Sequence, residues 1–398
     1  MVKSTDAQST YPTEFWILFL TVFAAMLGLG IIGPLMPIFA SRLGAAGIAL
    51  GLVFSGFSLS RTITMPIVGY HSDKHGRKQF LVMGLILYSL ISIGYLFTHN
   101  IIELIWLRLL HGMASAMVIP IAMAYAGELA RRGKEGEMMG TFSIATMTGL
   151  GVGPLLGGVL TDWFGESAAF LALTVLSGFA AFLAFRFLPE QHGTRKKRSS
   201  GSFRENLKQV VQSRKIMGVL WFRFVMTLAR GTIISFFPLY AAAVGQSLSN
   251  IGILLSINML LMSLFQKPFG RLSDKTGWRL PFILAGMVLA AISLFLIPYA
   301  HSFVQLLILN LVMGIGGALA FPAAVALVVE FGRQIGMGSA MGYFNMALST
   351  GMIFAPIFSG VIYDAVNIQA IFYINGTIIL AGTVVFYGLI RSAKRTPA

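Results

Sequence analysis

The sequence predicts an all-α polytopic membrane protein, with twelve transmembrane helices forming two pseudo-symmetric six-helix bundles. Three observations predict it. Only 11% of its 398 residues are charged and 56% are hydrophobic, whereas about 25% charged is usual for a soluble domain. Uncharged apolar runs, long enough for the roughly 20-residue crossing of a bilayer, recur from end to end. One polar phrase is also written twice, as "GYHSDKHGRK" from Gly69 and "GRLSDKTGWR" from Gly270.

A polar Met1–Thr13 leads into the run Glu14–Ala40, which is too long for a cleaved secretory leader and is read as a retained span. Hydropathy places the spans at roughly 15–40, 47–69, 80–97, 102–125, 138–161, 168–187, 215–240, 249–269, 280–299, 302–329, 337–363 and 366–390. Of the 29 Lys and Arg residues, 24 then fall on one side of the membrane, Arg42 alone falls on the other, and Arg61, Arg108, Arg223 and Arg230 lie inside spans. The positive-inside rule places that basic side, and with it both termini, in the cytoplasm of a cell membrane. The net charge of +15 is thus spent on topology and on anionic lipid head groups, and nucleic acid is not expected as a partner. With no cysteine, thiolate catalysis, disulfides and cysteine-ligated metals are excluded.

The repeat extends along the chain. Pro37 and Gly51 recur as Pro238 and Gly252; Gly112, Pro120, Pro154 and Asp162 recur as Gly314, Pro322, Pro356 and Asp364, one residue further on. This predicts bundles over residues 1–188 and 215–398, joined by a basic cytoplasmic linker at 189–214. With six spans each, both copies enter from the same side. They are related by an axis along the membrane normal, with a site between them near the midplane.

Six plus six spans with Gly69, Asp73, Lys74, Gly76, Arg77 and Lys78 after span 2 resemble the major facilitator superfamily. The second copy keeps Gly270, Asp274, Lys275 and Gly277, but has Trp278 where the first has Arg77. The resemblance implies that these residues form a cytoplasmic latch stabilising an outward-facing state, with Glu128 and Glu330 at nearby span ends. Span 5 carries Gly149, Gly153, Pro154, Gly157 and Gly158, a small-residue spacing that brings helices together. It resembles the motif of the superfamily's antiporters. "GLGIIGPLMP" at Gly28–Pro37 resembles the span-1 motif of its twelve-span drug:proton antiporters.

In that family spans 1, 4, 7 and 10 line the cavity, which nominates Arg108, His111 and Ser115, Arg223 and Arg230, and Asn310 for substrate or coupling. Asn258 and Asn345 on spans 8 and 11, and the apolar Met26, Met147 and Phe236, join them. A charge inside a membrane faces a partner or a cavity, which makes Arg108 a functional residue by default. Arg61, two turns from the basic end of span 2, reads as a snorkelling side chain. Acids are scarce, and none falls at mid-span. Glu14, Asp162, Glu330 and Asp364 lie at span ends as gates or proton sites, and His111 is the further proton carrier, since imidazole titrates in the useful range. Arginines without a central carboxylate favour anionic or zwitterionic cargo.

The expected function is secondary transport by alternating access: proton-coupled export of a small amphipathic or anionic compound by a monomer. Two alternatives stay open, an importer or uniporter of organic anions and a lipid or lysolipid flippase. No H-E-x-x-H, G-x-S-x-G or Walker motif occurs, so neither an enzyme nor an ATP-driven pump is expected, and no metal or cofactor.

Overall fold

The computed structural model describes residues 12–130, 135–190, 210, 212–335 and 337–393. Among them, twelve helices are long and apolar enough to cross a membrane, and there is no strand. Spans 1 to 6 are Thr13–Ile31, Gly47–His75, Arg77–Leu96, Ile101–Leu129, Glu135–Phe164 and Glu166–Phe187. Spans 7 to 12 are Arg214–Ala243, Leu248–Thr276, Arg279–Leu296, Phe303–Ile335, Met337–Ala365 and Ile368–Ala393. Most of the expected linker lies outside the described residues.

Two boundaries differ from the sequence reading. The first span is not continuous to residue 40: it stops at Ile31 and resumes as a short helix, Leu35–Arg42. Pro34 has no N–H to continue the ladder, and the Gly33 N–H instead donates to Gly30 O in a tighter 3.0 Å bond. The polar phrase after span 2 is also helical rather than a loop, because span 2 runs on to His75. Gly76, at φ +104°, and its counterpart Gly277, at φ +70°, leave the helix in a region that side chains with a Cβ avoid, and in the second copy Trp278 follows outside the helix as well. Gly69 and Gly270 lie inside helices.

The helix contacts repeat as the sequence does. In the first half span 1 packs on spans 5 and 6, span 2 on span 4, and span 3 on spans 4 and 6; in the second half span 7 packs on 11 and 12, span 8 on 10, and span 9 on 10 and 12. Each half has a buried apolar core, one centred on residues such as Phe15, Tyr88 and Phe170, the other on Phe222, Phe237 and Phe372. The halves meet along two equivalent seams, span 5 on span 8 and span 11 on span 2.

Both seams close at the end of the bundle that is poor in basic residues. A Cβ on Gly158 would strike Leu248 O, and one on Gly360 would strike Gly47 O. Gly252 lies equally close to Pro154 O, and Gly51 to Pro356 O. Asp162 accepts from the Leu248 N–H at 3.2 Å and the Ser249 N–H at 2.7 Å, while Asp364 accepts from Ile48 N–H at 2.9 Å. Next to these, Ser55 Oγ donates to Ile353 O at 2.6 Å, and the Leu155 N–H donates to Ser256 Oγ at 2.9 Å. Ser55 and Ser256 stand 201 residues apart, the offset of the repeat.

Toward the basic end the seams lose contact. Gly151 of span 5 faces Leu260 of span 8; one turn on, Met147 and Leu264 are exposed. On the other seam Leu59 and Ile63, one and two turns beyond Ser55, are exposed as well. The bundle is shut at one end and parted at the other.

The antiporter-type glycines explain how span 5 serves both sides. Gly149, Gly153 and Gly157 set its backbone against span 1, at Met26, Gly30 and Ile31. Gly151 and Gly158 set the opposite face against span 8. Removing side chains on two faces lets one helix touch its own half and the partner half at backbone distance.

Candidate functional site

Polar groups inside the first half gather between spans 2, 3 and 4. Span 4 places Arg108, His111 and Ser115 on one face by their spacing of three and four residues. Gly112, on the adjoining face, lets span 2 approach, since a Cβ there would strike Phe57 O. Arg108 is 6% exposed, and its Nε donates to Val53 O at 3.2 Å. Its guanidinium lies over the Phe57 ring at 4.5 Å and the Phe54 ring at 5.6 Å, a favourable placement for a cation in a dry setting. His111 is fully buried, its Nδ1 3.0 Å from Tyr95 Oη and its ring 4.5 Å from that of Tyr88, edge to face. Tyr88 lies beside Arg61 and Ser115. Arg61 Nε is buried and the side chain, partly exposed, lies near Tyr88. The sequence reading missed Tyr88 and Tyr95, although two tyrosines seven residues apart in an apolar span mark one polar face.

The equivalent place in the second half is built from other chemistry. Asn310 occupies the position of Arg108, and Asn258 that of Phe57. Asn258 Nδ2 donates to Asn310 O at 3.1 Å, and Asn310 Nδ2 donates to Leu306 O at 2.9 Å. Charge appears instead on span 7. Arg223 lies 4.9 Å from the Phe321 ring and 4.7 Å from the Phe344 ring. Arg230, two turns away on the same face, is exposed. Among the described residues neither has a carboxylate partner. A cavity of about 640 Å³ opens at the basic end beside Phe321, lined also by Gln266, Asp274, Arg279, Pro322 and Glu330.

The remaining nominated residues are dispersed. Met26 and Phe236 are fully buried packing residues, Met26 beneath Gly149 and Phe236 near Tyr363, and neither reaches the opening. Met147 and Asn345 are exposed. Glu14 stands in the first turn of span 1 near Tyr125, together with Glu128 and Glu190.

The two copies of the polar phrase differ in detail. Arg77, with 9% of its side chain exposed, bridges Asp73 at 3.0 Å and Glu128 at 2.8 Å. Glu190 Oε1 accepts from the Lys78 N–H at 3.0 Å and covers Gly76, whose Cβ position it fills. Lys74 lies over Tyr70. In the second copy Trp278 is exposed, and Arg279, one residue later, reaches Asp274 at 3.7 Å and pairs with Glu330. The sequence gap at Trp278 is thus filled by its neighbour, in a more exposed setting. Lys275 is exposed.

The model of the Major Facilitator Superfamily matches residues 18–227 and 219–398. A multi-drug resistance efflux pump PmrA homolog of Lactococcus lactis is 30% identical over 345 residues, spanning 85% of each chain. The quinolone resistance protein NorA of Staphylococcus aureus is 26% identical over 381 residues, 94% of this chain and 95% of NorA. Among solved structures, the nucleoside transporter NupG (D323A mutant) superposes with a TM-score of 0.80 at 14% identity, over 95% of this chain and all of NupG; at that identity the likeness concerns the fold. These are membrane transporters rather than enzymes. Two six-helix halves with paired glycine and aspartate seams, matched by the family along nearly their whole length, make this chain a multi-pass member of the Major Facilitator Superfamily.

Proposed function

We propose that the chain is a proton-driven exporter of small amphipathic compounds, working by alternating access in a cell membrane with its basic end and both termini in the cytoplasm. The observation that carries this reading is the one-sided closure: twin aspartate clasps and backbone-close glycines at the charge-poor end, and parted seams at the basic end. On this reading the chain is described facing inward, ready to load cargo from the cytoplasm. Asp162 and Asp364 are the outer gate. Asp73 and Asp274, each paired here with an arginine of its own half, form the inner latch that engages when the basic end closes. The cargo space lies beside the Arg223–Arg230 face, with Asn258 and Asn310 alongside, and is bordered by the first half that encloses the Arg108–His111–Ser115 cluster. The relatives named as multidrug efflux and quinolone resistance proteins support the outward direction.

The test is uptake of a fluorescent drug into inside-out vesicles energised with an acidic lumen. Uptake that an uncoupler abolishes supports the reading. Uptake only into right-side-out vesicles, or uptake indifferent to the uncoupler, overturns the direction or the coupling respectively.

A further inference from the structure

The first-half cluster contains more positive charge than its surroundings neutralise. Arg61 Nε and His111 Nε2 are buried without a hydrogen-bond partner, and the neighbouring Tyr88 and Ser115 hydroxyls have no partner beyond each other. They come from three different spans, and Tyr88 ties them together: its ring meets His111 edge-on at 4.5 Å, and its hydroxyl lies in the reach of Ser115, Arg61 and Arg108. If Tyr95 Oη donates to His111 Nδ1 across their 3.0 Å contact, the ring hydrogen sits on Nε2, which then also faces the cluster as a donor. Arg61 and Arg108 supply two positive charges, and among the described residues no carboxylate pairs with either. Burial of unpaired charge costs several kcal/mol in general, so such groups are found with a counter-charge or at a functional site.

Charge discriminates between occupants. A water molecule can accept from Arg61 Nε and His111 Nε2 and donate to the two hydroxyls, but it neutralises no charge. An anion accepts from all four and pairs with the guanidiniums as well. The second half supplies the contrast: at the equivalent positions it has Met262 for Arg61, Met313 for His111 and Gly317 for Ser115, with the methionine packed against the glycine. The same backbone scaffold thus carries an anion-seeking lining in one half only. Arg61 is the member with appreciable exposure, which gives the cluster an entrance.

We propose that Arg61, Tyr88, Arg108, His111 and Ser115 form a binding site for a single-charged anionic group, either the carboxylate of the transported compound or a free halide. The proposal rests on the transport reading above in placing the site beside the cargo space, and it adds Arg61 and Tyr88 as ligands that select an anionic cargo. The cluster holds its cargo by charge-assisted hydrogen bonds, and cations are refused there by the two arginines.

The experiment measures the thermal unfolding midpoint of the purified full-length protein in detergent, at fixed ionic strength, with sodium gluconate exchanged stepwise for chloride or benzoate. A saturable rise in the midpoint is expected, with the apparent affinity falling at least about tenfold in Arg61→Met and in the isosteric Tyr88→Phe, the loss expected for one hydrogen bond to a charged group. A rise with benzoate alone assigns the site to an organic carboxylate, and a rise with both assigns it to free halide too. No rise with either anion means that water fills the cluster and overturns the proposal. So does a rise that both variants retain, which would belong to the basic surface. Export of a cationic dye by a protein that shows no anion effect removes this site and leaves the transport reading intact. Anion binding by a protein that exports nothing does the reverse.

Discussion

The two halves share a scaffold and differ in their lining. Glycines 51 and 252, prolines 154 and 356, serines 55 and 256, and aspartates 162 and 364 occupy equivalent places on the two seams; the glycines, prolines and aspartates make contacts of the same kind across the interface, while Ser55 donates to a carbonyl and Ser256 accepts from an amide. Inside the halves the correspondence ends: Arg108 corresponds to Asn310 in the repeat, and Arg223 and Arg230 answer to Val22 and Leu29. The difference separates two jobs. Parts that must open and close together are kept symmetric, because a rocking motion loads both seams alike. Parts that recognise cargo are free to diverge, because one molecule cannot contact two linings in the same way.

The sharpest way to break the comparison lies at the basic end. Arg77 is buried between two carboxylates, whereas Arg279 serves the same acids in the second copy half in the open. Arg77→Met, which strands Glu128 in a mostly buried position, is expected to cost on the order of 2–4 kcal/mol. Arg279→Met is expected to cost about 1 kcal/mol or less, as exposed pairs do. Thermal unfolding of the two variants checks this, and equal losses would mean that the copies are equivalent after all.

At the other end symmetry is expected to hold. Gly158→Val and Gly360→Val each put a side chain onto a carbonyl of the partner half, and overpacking of this kind costs about 1–3 kcal/mol. The closed end then opens by roughly tenfold to a hundredfold in population. Labelling of a cysteine placed at Ser249 with an impermeant reagent reads the change, and unequal responses would refute the equivalence of the seams. Asp162→Asn and Asp364→Asn weaken the caps on spans 8 and 2 by about 1 kcal/mol each. The double variant should open about as far as the two effects multiplied. The smallest effect is expected inside the second half, where Asn310→Leu should leave export within about threefold, since it removes neutral hydrogen bonds of about 0.5 kcal/mol net. Arg108→Met in the first half should remove most of the export. Comparable losses from the two would show that the linings are not specialised.

Much of this architecture was legible in the sequence, because membrane burial writes itself into composition and a duplication writes itself into spacing. Twelve spans, the two copies and the seam residues Gly158 and Asp364 all carry such a signal. The break at Gly33–Pro34 was obscured by the apolar run on both sides of it. The helical course of Gly69–His75 was hidden because a glycine permits a turn without requiring one; only Gly76 takes a conformation that demands it. The role of Arg279 was masked by a one-residue shift, since Trp278 holds the expected column and the long arginine side chain covers the difference. At the site, residue type alone pointed to Arg108, His111 and Ser115. It could not supply Tyr88, because that placement depends on how spans 3 and 4 lie against one another.

Both clasps at the charge-poor end grip main-chain amides of the opposite half, and Asp162 adds the hydroxyls of Ser247 and Ser249. Positions 48 and 248, which offer only an amide, can therefore drift in identity while the gate keeps its grip. An alanine scan would overlook these two places. Proline alone, by deleting the amide hydrogen, would expose them.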